Sequence, residues 1–132
     1  MYNGIYDKEQ FAYLHAVLRK WLRLKLEGGS LGDKLYRSGI RSAAVYGIGG
    51  LGEDVLLDLM PIEICCLIDR RAEEYPKGLN GLPVLDLETY SAAPMGNIVL
   101  VTPEYYFREI VEALTAAGVP EERIVSLAMA LE

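Results

Sequence analysis

The 132-residue sequence predicts an α/β fold built on an open parallel sheet. Short apolar runs without helical periodicity alternate with segments in which apolar residues recur every three or four positions. This alternation is typical of right-handed crossover units, which form a parallel sheet with helices on both faces. For five such strands we expect the spatial order 3-2-1-4-5, with the first strand in the centre.

The five predicted strands are residues 42–48, 62–68, 82–85, 97–102 and 124–127. The first has the sequence SAAVYGI, an apolar run without a 3.6-residue period, as expected for a strand buried on both faces. The fourth, NIVLVT, has the clearest strand pattern of the chain. These runs are short enough to be strands and too short to be buried helices.

Helices are predicted between the strands at 53–60 and from Pro103 to Gly118, with a single turn at 86–90. The first of these helices is ended by Pro61, which cannot continue a helix. Pro103 is suited to the first position of the second helix, and Gly118 to its end.

Two further helices precede the sheet and form an N-terminal extension over residues 1–40, followed by a sheet domain over residues 41–132. Phe11, Leu14 and Leu18 recur at helical spacing in the first helix, and basic residues lie near its C-terminal end. We expect this amphipathic helix to dock on its own sheet, on a second copy in a homodimer, or on a partner enzyme.

Composition indicates a globular protein and restricts its partners. Hydrophobic residues make up 52% of the sequence and charged residues 24%, as in a folded domain. The formal net charge of −6 argues against a nucleic-acid partner, because binding to a phosphate backbone depends on clustered Lys and Arg. A small phosphorylated ligand is compatible with this charge, since backbone amides at a helix start bind phosphate.

Several features favour a cytoplasmic protein that does not bind membranes. No apolar run approaches the roughly 18 residues of a membrane span, and residues 1–10 lack the pattern of a signal peptide. Cys65 and Cys66 are adjacent on the second predicted strand, where neighbouring side chains point to opposite faces. We interpret them as small buried hydrophobes in a reducing compartment rather than as a disulfide.

The turn after the first strand, GIGGLG at residues 47–52, is a complete G-x-G-x-x-G motif. Gly47 permits a tight turn, Gly49 lets the backbone approach a pyrophosphate, and Gly52 lets the next helix pack closely on the strand. A strand, this turn and a helix together form the nucleotide-binding motif of Rossmann-like folds. The expected ligand contacts in the turn are Gly47, Gly49, Gly50, Leu51 and Gly52.

The second predicted strand ends in Asp69, which lies 22 positions after Gly47. At this spacing a carboxylate can bind a ribose hydroxyl, although Asp69 could instead cap a loop. Arg70 and Arg71 follow, and they either reach a phosphate of the ligand or form an exposed charge pair. Asp69 favours an unphosphorylated ribose, because a carboxylate repels a 2′-phosphate.

A second group of candidate residues follows the fourth strand. Open parallel sheets bind ligands beyond the carboxyl ends of the strands where the chain order reverses, which here is between the first and fourth strands. Thr102 and Pro103 are therefore expected ligand contacts, with Thr102 alternatively a helix N-cap. Glu104 also faces the glycine turn, and Tyr105 and Tyr106 either stack on a base or cover the sheet edge.

No arrangement of residues in the sequence is typical of a catalytic site. The only histidine, His15, is far along the chain from the glycine turn, and we interpret it as an exposed helix residue. There is no Tyr-x-x-x-Lys motif, no His, Cys, Asp or Glu cluster with metal-ligand spacing, and no serine with a histidine neighbour. We assign no catalytic residue and predict no metal, and whether the chain is an enzyme stays open.

Four segments carry a resemblance to known modules: AAVYGIGGLGEDVL at 43–56, CLIDRR at 66–71, GLPVLDLETY at 81–90 and NIVLVTP at 97–103. In these segments the chain resembles the small Rossmann-like modules of bacterial polysaccharide and nucleotide-sugar biosynthesis. Similar patterns occur in the NAD-binding domains of redox-sensing repressors and in CoA-binding domains.

The resemblance implies that Gly47, Gly49, Gly50 and Gly52 contact phosphates and that Asp69 lies near a ribose. It implies NAD or a nucleotide sugar as the ligand. The enzymes among these proteins have a second, catalytic domain that this sequence lacks, which favours binding over catalysis.

Three functions are compatible with these observations. The first is a nucleotide-binding module that assists or regulates a separate enzyme of sugar or polysaccharide metabolism. The second is an NAD(P)-dependent oxidoreductase or epimerase-like enzyme with a site completed across a dimer, which should show a second polar cluster facing the turn. The third is a protein-interaction domain with a vestigial turn, which should fill the crevice with side chains such as Tyr46 or Tyr105.

Overall fold

The computed structural model describes residues 8–102 and 106–132 and contains a five-stranded sheet whose strand pairs are all parallel. The strands are β1 (Ser42–Tyr46), β2 (Glu63–Ile68), β3 (Val84–Leu85), β4 (Ile98–Val101) and β5 (Ile124–Ser126). Their spatial order is β3-β2-β1-β4-β5, which confirms the predicted sheet with β1 in the centre. The edge strand β3 is shorter than predicted and begins after Pro83, which has no N–H to donate to a neighbour.

Six α-helices surround the sheet in the described part of the chain. They are α1 (Lys8–Leu26), α2 (Leu31–Arg37), α3 (Leu51–Leu56), α4 (Leu87–Ala92), α5 (Phe107–Ala116) and α6 (Leu127–Ala130). The connection between β2 and β3 contains only a 3-10 turn at Ala72–Glu74. Among the described residues, no helix combines the length and the apolarity needed to cross a bilayer.

Several element boundaries differ from the sequence prediction by a few residues, and two of these differences have a clear cause. The helix predicted to reach residue 60 ends at Leu56, because the amide of Asp58 bonds to the Val55 carbonyl three residues back and the chain leaves the helix there. The last strand ends at Ser126, whose hydroxyl accepts the Met129 amide at 3.0 Å and begins the unpredicted helix α6. The predicted start of α5 at Pro103 lies outside the described residues.

The central strand β1 separates two hydrophobic cores. Ala43 and Val45 pack on the first face of the sheet with residues of α1, α2, α3 and α6. Ala44 packs on the second face with Tyr90 of α4 and Leu114 of α5. Helices therefore cover both faces, as predicted for a doubly wound sheet.

A bulge in β2 moves its side chains from one face of the sheet to the other. Ala43 pairs with Ile64, whereas the next residue, Ala44, pairs with Cys66, so Cys65 is an extra residue without a counterpart in β1. Ile64 therefore packs in the core of the first face, and Cys66, only two residues later, in the core of the second. One inserted residue reverses the alternation of a strand, which is the effect seen here.

Both cysteines are free thiols, but their environments differ. Cys66 is fully buried and Cys65 is half-buried. Burial, together with the charge of the neighbouring Cys65, raises the pKa of the Cys66 thiol to about 11. The sequence interpretation as small buried hydrophobes thus fits Cys66 better than Cys65.

We expect Cys65 to react with an alkylating reagent in the folded protein and Cys66 to react only after unfolding. Near pH 8 the raised pKa leaves Cys66 a thiolate fraction roughly a hundredfold below that of a free cysteine. The variants Cys66→Ser and Cys65→Ser each leave one thiol, whose labelling can be followed by mass spectrometry with and without denaturant. Equal labelling rates in the folded variants would contradict this burial.

The N-terminal helices dock on the sheet domain of their own chain through Asp58, which follows α3. Its Oδ2 accepts the Trp21 indole N–H at 2.8 Å and the Leu31 amide at 3.0 Å, and its Oδ1 accepts the Lys25 ammonium. One carboxylate therefore connects α1 and the start of α2 with the segment after α3. The contact is tightened at Gly32, where a Cβ would overlap the backbone carbonyls that follow Asp58.

Asp58 stabilises the folded state in its ionised form. Burial raises the pKa of Asp58, but the hydrogen bonds from Lys25, Trp21 and Leu31 outweigh burial, and the net pKa lies below its ordinary value. A carboxyl group with a lowered pKa contributes stability above its unfolded-state pKa, and that contribution disappears as the pH falls through the folded-state pKa.

We expect Asp58→Asn to lower the free energy of unfolding by about 1–3 kcal/mol at pH 7, because a charge-assisted hydrogen bond is lost. The difference from the wild type should shrink as the pH falls below about 4, where the unfolded carboxyl takes up its proton. Urea unfolding, followed by the fluorescence of Trp21, the only tryptophan, measures the free energy of unfolding of the wild type and the variant at each pH. A difference that stays constant at lower pH would contradict the role of the Asp58 charge.

Candidate functional site

The glycine turn follows β1 and has a geometry that two of its glycines require. Gly47 has a φ of +96°, in the region that favours glycine, and its amide donates to the Ile68 carbonyl at 2.8 Å. A Cβ at Gly52 would overlap the Gly47 carbonyl oxygen, so the first turn of α3 lies directly against the turn that precedes it. These are the tight turn and the close helix packing that the motif predicts.

The middle of the turn is exposed. Gly49 and Gly50 are both accessible to solvent, and Gly50 has a φ of +51° and is the N-cap of α3. A Cβ added at Gly49 would have a single neighbour within 4 Å, the Arg71 guanidinium at 3.5 Å. A ligand phosphate could therefore reach this backbone with a guanidinium beside it. Leu51 is half-buried against the core of the first face.

Asp69 connects the glycine turn with the end of β2. Its Oδ2 accepts the Ile48 amide of the turn at 3.1 Å. Its Oδ1 accepts the Arg71 amide at 2.8 Å and the Arg71 Nε at 3.3 Å. Two carboxylate oxygens offer about four acceptor sites, so these bonds leave room for a ribose hydroxyl. Contact of Asp69 with a ribose stays a prediction.

The two arginines after Asp69 differ in their contacts. Arg71 forms an ion pair with Asp69, and the hydrogen bond and negative charge of Asp69 raise the pKa of the Arg71 guanidinium. Arg71 is thus a permanent cation held beside Gly49. Arg70 is exposed and lies at the edge of the cavity described next.

A cavity of about 690 Å³ opens beside the turn, at the carboxyl ends of β1 and β2. Polar side chains from the end of β2 and from α5 form one edge, and an apolar wall is formed by α4, α5 and the end of β1. The lining residues are Tyr46, Gly47, Asp69, Arg70, Arg71, Leu87, Tyr106, Glu109, Ile110 and Ala113. The cavity therefore combines a charged edge with an aromatic and aliphatic wall.

Thr102 lies below the turn rather than in the cavity lining. It is almost fully buried, and its hydroxyl donates to the carbonyls of Tyr46 at 2.9 Å and Gly47 at 3.3 Å. It thereby attaches the end of β4 to the glycine turn. Direct contact of Thr102 with a ligand stays a prediction, and Pro103, Glu104 and Tyr105 lie outside the described residues.

Sequence reasoning named Tyr106, the N-cap of α5, as a candidate but missed the residues of the helix itself, Glu109, Ile110 and Ala113. Tyr106, Glu109, Ile110 and Ala113 line the cavity together because they are three or four residues apart and share one side of the helix. That spacing is visible in the sequence, but it does not reveal which side of α5 faces the crevice. Leu87 of α4 was missed for the same reason.

His15 does not belong to the cavity, and the described residues form no metal site. His15 is exposed on α1, which packs on the first face of the sheet, whereas the cavity is lined by α4 and α5 of the second face. Within residues 8–102 and 106–132, no three His, Cys, Asp or Glu side chains are grouped so that they could hold a metal ion.

The sheet order and the strand–turn–helix unit at its centre define a Rossmann-like α/β fold. Comparison with models of known protein families and with curated protein sequences finds no match to this chain.

We expect Gly52→Ala to destabilise the protein by about 1–3 kcal/mol, because the added methyl group overlaps the Gly47 carbonyl. Gly49→Ala should change the free energy of unfolding by less than about 1 kcal/mol, since its Cβ would meet only the mobile end of Arg71. Chemical unfolding of both variants measures the contrast. Equal destabilisation would contradict the close contact between α3 and the turn.

Proposed function

We propose that this chain is a nucleotide-binding module that holds a dinucleotide or a nucleotide sugar beside the glycine turn. The cavity of about 690 Å³ carries this proposal. Its size is within the range of about 300–1,000 Å³ typical of small-molecule sites. It lies at the carboxyl ends of β1 and β2, on the edge of the sheet at which open parallel sheets bind their ligands, next to the predicted position between β1 and β4.

The cavity and the exposed part of the glycine turn beside it, which does not itself line the cavity, suit the two parts of a nucleotide. Phosphates would bind at Gly49 and Gly50, which are exposed, with the Arg71 guanidinium as counter-charge. The base or sugar would pack against the wall formed by Tyr46 and Ile110, since aromatic and aliphatic surface is what ligand pockets offer to rings.

The open cavity favours binding over a vestigial turn. An interaction domain without a ligand would fill this crevice with side chains such as Tyr46, whereas among the described residues Tyr46 lines the cavity and leaves it open. Binding is also favoured over catalysis. The Thr102 hydroxyl, which follows β4, donates to two backbone carbonyls and does not line the cavity. An NAD(P)-dependent enzyme with a site completed across a dimer is the alternative.

The cellular role proposed here rests on the resemblance in sequence. Small Rossmann-like modules of bacterial polysaccharide and nucleotide-sugar biosynthesis share the pattern of the glycine turn and of Asp69. We therefore propose an accessory or regulatory unit of cytoplasmic sugar metabolism, with NAD or a nucleotide sugar as the ligand.

A thermal-shift screen tests this function with NAD, NADH, NADP, CoA and UDP-, GDP- and dTDP-sugars. A ligand present at a hundred times its dissociation constant stabilises the protein by about 2.7 kcal/mol, which raises the Tm of a domain of this size by several degrees. Gly49→Val should abolish the shift, because its side chain occupies the approach to the turn. Its φ lies outside the left-handed region, so the variant should fold.

A pair of arginine variants separates phosphate binding from general charge effects. Arg71→Ala should reduce affinity for the ligand roughly tenfold or more, since a charged hydrogen bond to phosphate is lost. Arg108→Ala removes the same charge from an exposed position of α5 that does not line the cavity, and should bind as the wild type does. If no compound of the panel raises the Tm of the folded wild type, the proposed function is refuted.

A further inference from the structure

The outward side of α1 carries apolar residues that the rest of the described chain leaves exposed. Trp21 and Leu24 pack against the core of the first face. Leu18, Leu22 and Leu26 follow one another at intervals of four residues, so they form a second stripe along a different side of the helix. A helix that packs on a single core needs one apolar side, whereas α1 has a second apolar side that is exposed.

Two further exposed apolar residues lie next to α1. Leu57 and Met60 come immediately before and two residues after Asp58, which binds Trp21 and Lys25 of α1. We define the apolar patch as Leu18, Leu22, Leu26, Leu57 and Met60. Their exposed fractions are between 40% and 87%.

The area of the apolar patch is that of an interaction site. Five large side chains with these exposures present an apolar surface on the order of several hundred Å², as large as the largest apolar patch of a typical soluble monomer, which is often functional. It approaches the roughly 800 Å² that each partner contributes to an interface of standard size. Isolated exposed hydrophobic residues would need no such explanation.

Charges of opposite sign flank the apolar patch. Helix α1 has five basic residues and one acidic residue, a net charge of +4, in a chain with a formal net charge of −6. The rest of the chain therefore carries −10. Arg19 and Arg23 are exposed on α1 beside the stripe, and Glu53 and Asp54 are exposed on α3 shortly before Leu57.

We propose that the apolar patch is the interface of a homodimer with two-fold symmetry, in which the basic half of α1 lies against the acidic α3 of the partner. A two-fold interface places the same surface on both sides, so that surface must complement itself. An apolar centre with cations on one side and anions on the other meets this requirement when it is rotated by 180°.

The charges disfavour two other partners for this surface, which are the α1 helix of a second copy alone and an anionic lipid membrane. Two α1 helices paired only with each other would bring two charges of +4 together, which costs energy. An anionic lipid surface would attract α1 but would repel Glu53 and Asp54, which lie beside Leu57. It would also repel the rest of the chain, which has a formal net charge of −10. A second copy of this chain offers both signs of charge in the same patch.

The dimer proposed here does not depend on nucleotide binding. Helix α1 packs on the first face of the sheet, and the helices that line the cavity, α4 and α5, pack on the second. The apolar patch thus shares no residue with the cavity lining, whereas Glu53 and Asp54 follow the glycine turn directly in the first turn of α3.

Sedimentation equilibrium over a roughly hundredfold range of protein concentration tests the dimer. The wild-type mass should rise from 14.7 kDa towards twice that value. Leu22→Asp should stay close to 14.7 kDa throughout, because a charge is placed in the centre of the interface. Met95→Asp changes an exposed apolar residue outside the patch and should dimerise like the wild type.

Charge exchange tests the contact between α1 and α3. Arg19→Glu with Arg23→Glu should weaken the dimer at least tenfold, and so should Glu53→Lys with Asp54→Lys. All four substitutions together should restore the wild-type dissociation constant, since the signs are exchanged on both sides. Far-UV circular dichroism of each variant shows that the chain is folded.

Four results would overturn the proposal. The wild type could remain at the monomer mass at every concentration, or Leu22→Asp could dimerise as well as the wild type. Failure of the fourfold exchange to restore association would refute the pairing of α1 with α3. Binding of a monomer to vesicles of phosphatidylserine, reduced by Leu22→Asp, would assign the apolar patch to a lipid surface instead.

Discussion

The contact of Gly52 with the Gly47 carbonyl sets how closely α3 approaches the central strand. A Cβ at Gly52 would overlap this carbonyl oxygen, and the Thr102 hydroxyl donates to the same oxygen from β4. Asp69 adds an attachment from β2 through the Ile48 amide. The ends of three adjacent strands are thereby joined at one turn, and the cavity lies where they meet. A turn held from three strands is preorganised, which would lower the entropic cost of the proposed ligand binding.

Two carboxylates make the same kind of contact at two separate places in the molecule. Asp69 accepts a backbone amide of the glycine turn and pairs with Arg71. Asp58 accepts the Leu31 amide and pairs with Lys25, which docks the N-terminal helices. In each case an ionised side chain fixes a loop and a cation together. The position of α1, and hence the side on which its leucine stripe is exposed, follows from the Asp58 contacts.

The cavity and the apolar patch lie on opposite faces of the sheet, and α3, which begins at the glycine turn, belongs to the first face. The cavity uses the second face, with Asp69, Arg71 and the inner side of α5 around it. The apolar patch uses α1 and the segment after α3 on the first face. The bulge at Cys65 shifts the alternation of β2 by one residue, so that Ile64 packs on the first face and Cys66 on the second.

The sequence by itself determined the parallel sheet, its strand order, the glycine turn and the position of Asp69 at the end of β2, because these depend on local periodicity and on spacing along the chain. Only the tertiary structure decided which side of α5 lines the cavity, since Glu109 and Ala113 are selected by the orientation of the helix on the sheet. It also decided that the Thr102 hydroxyl supports the turn from below. The physical reason is that such contacts join residues distant in sequence, and no local pattern encodes the packing that brings them together.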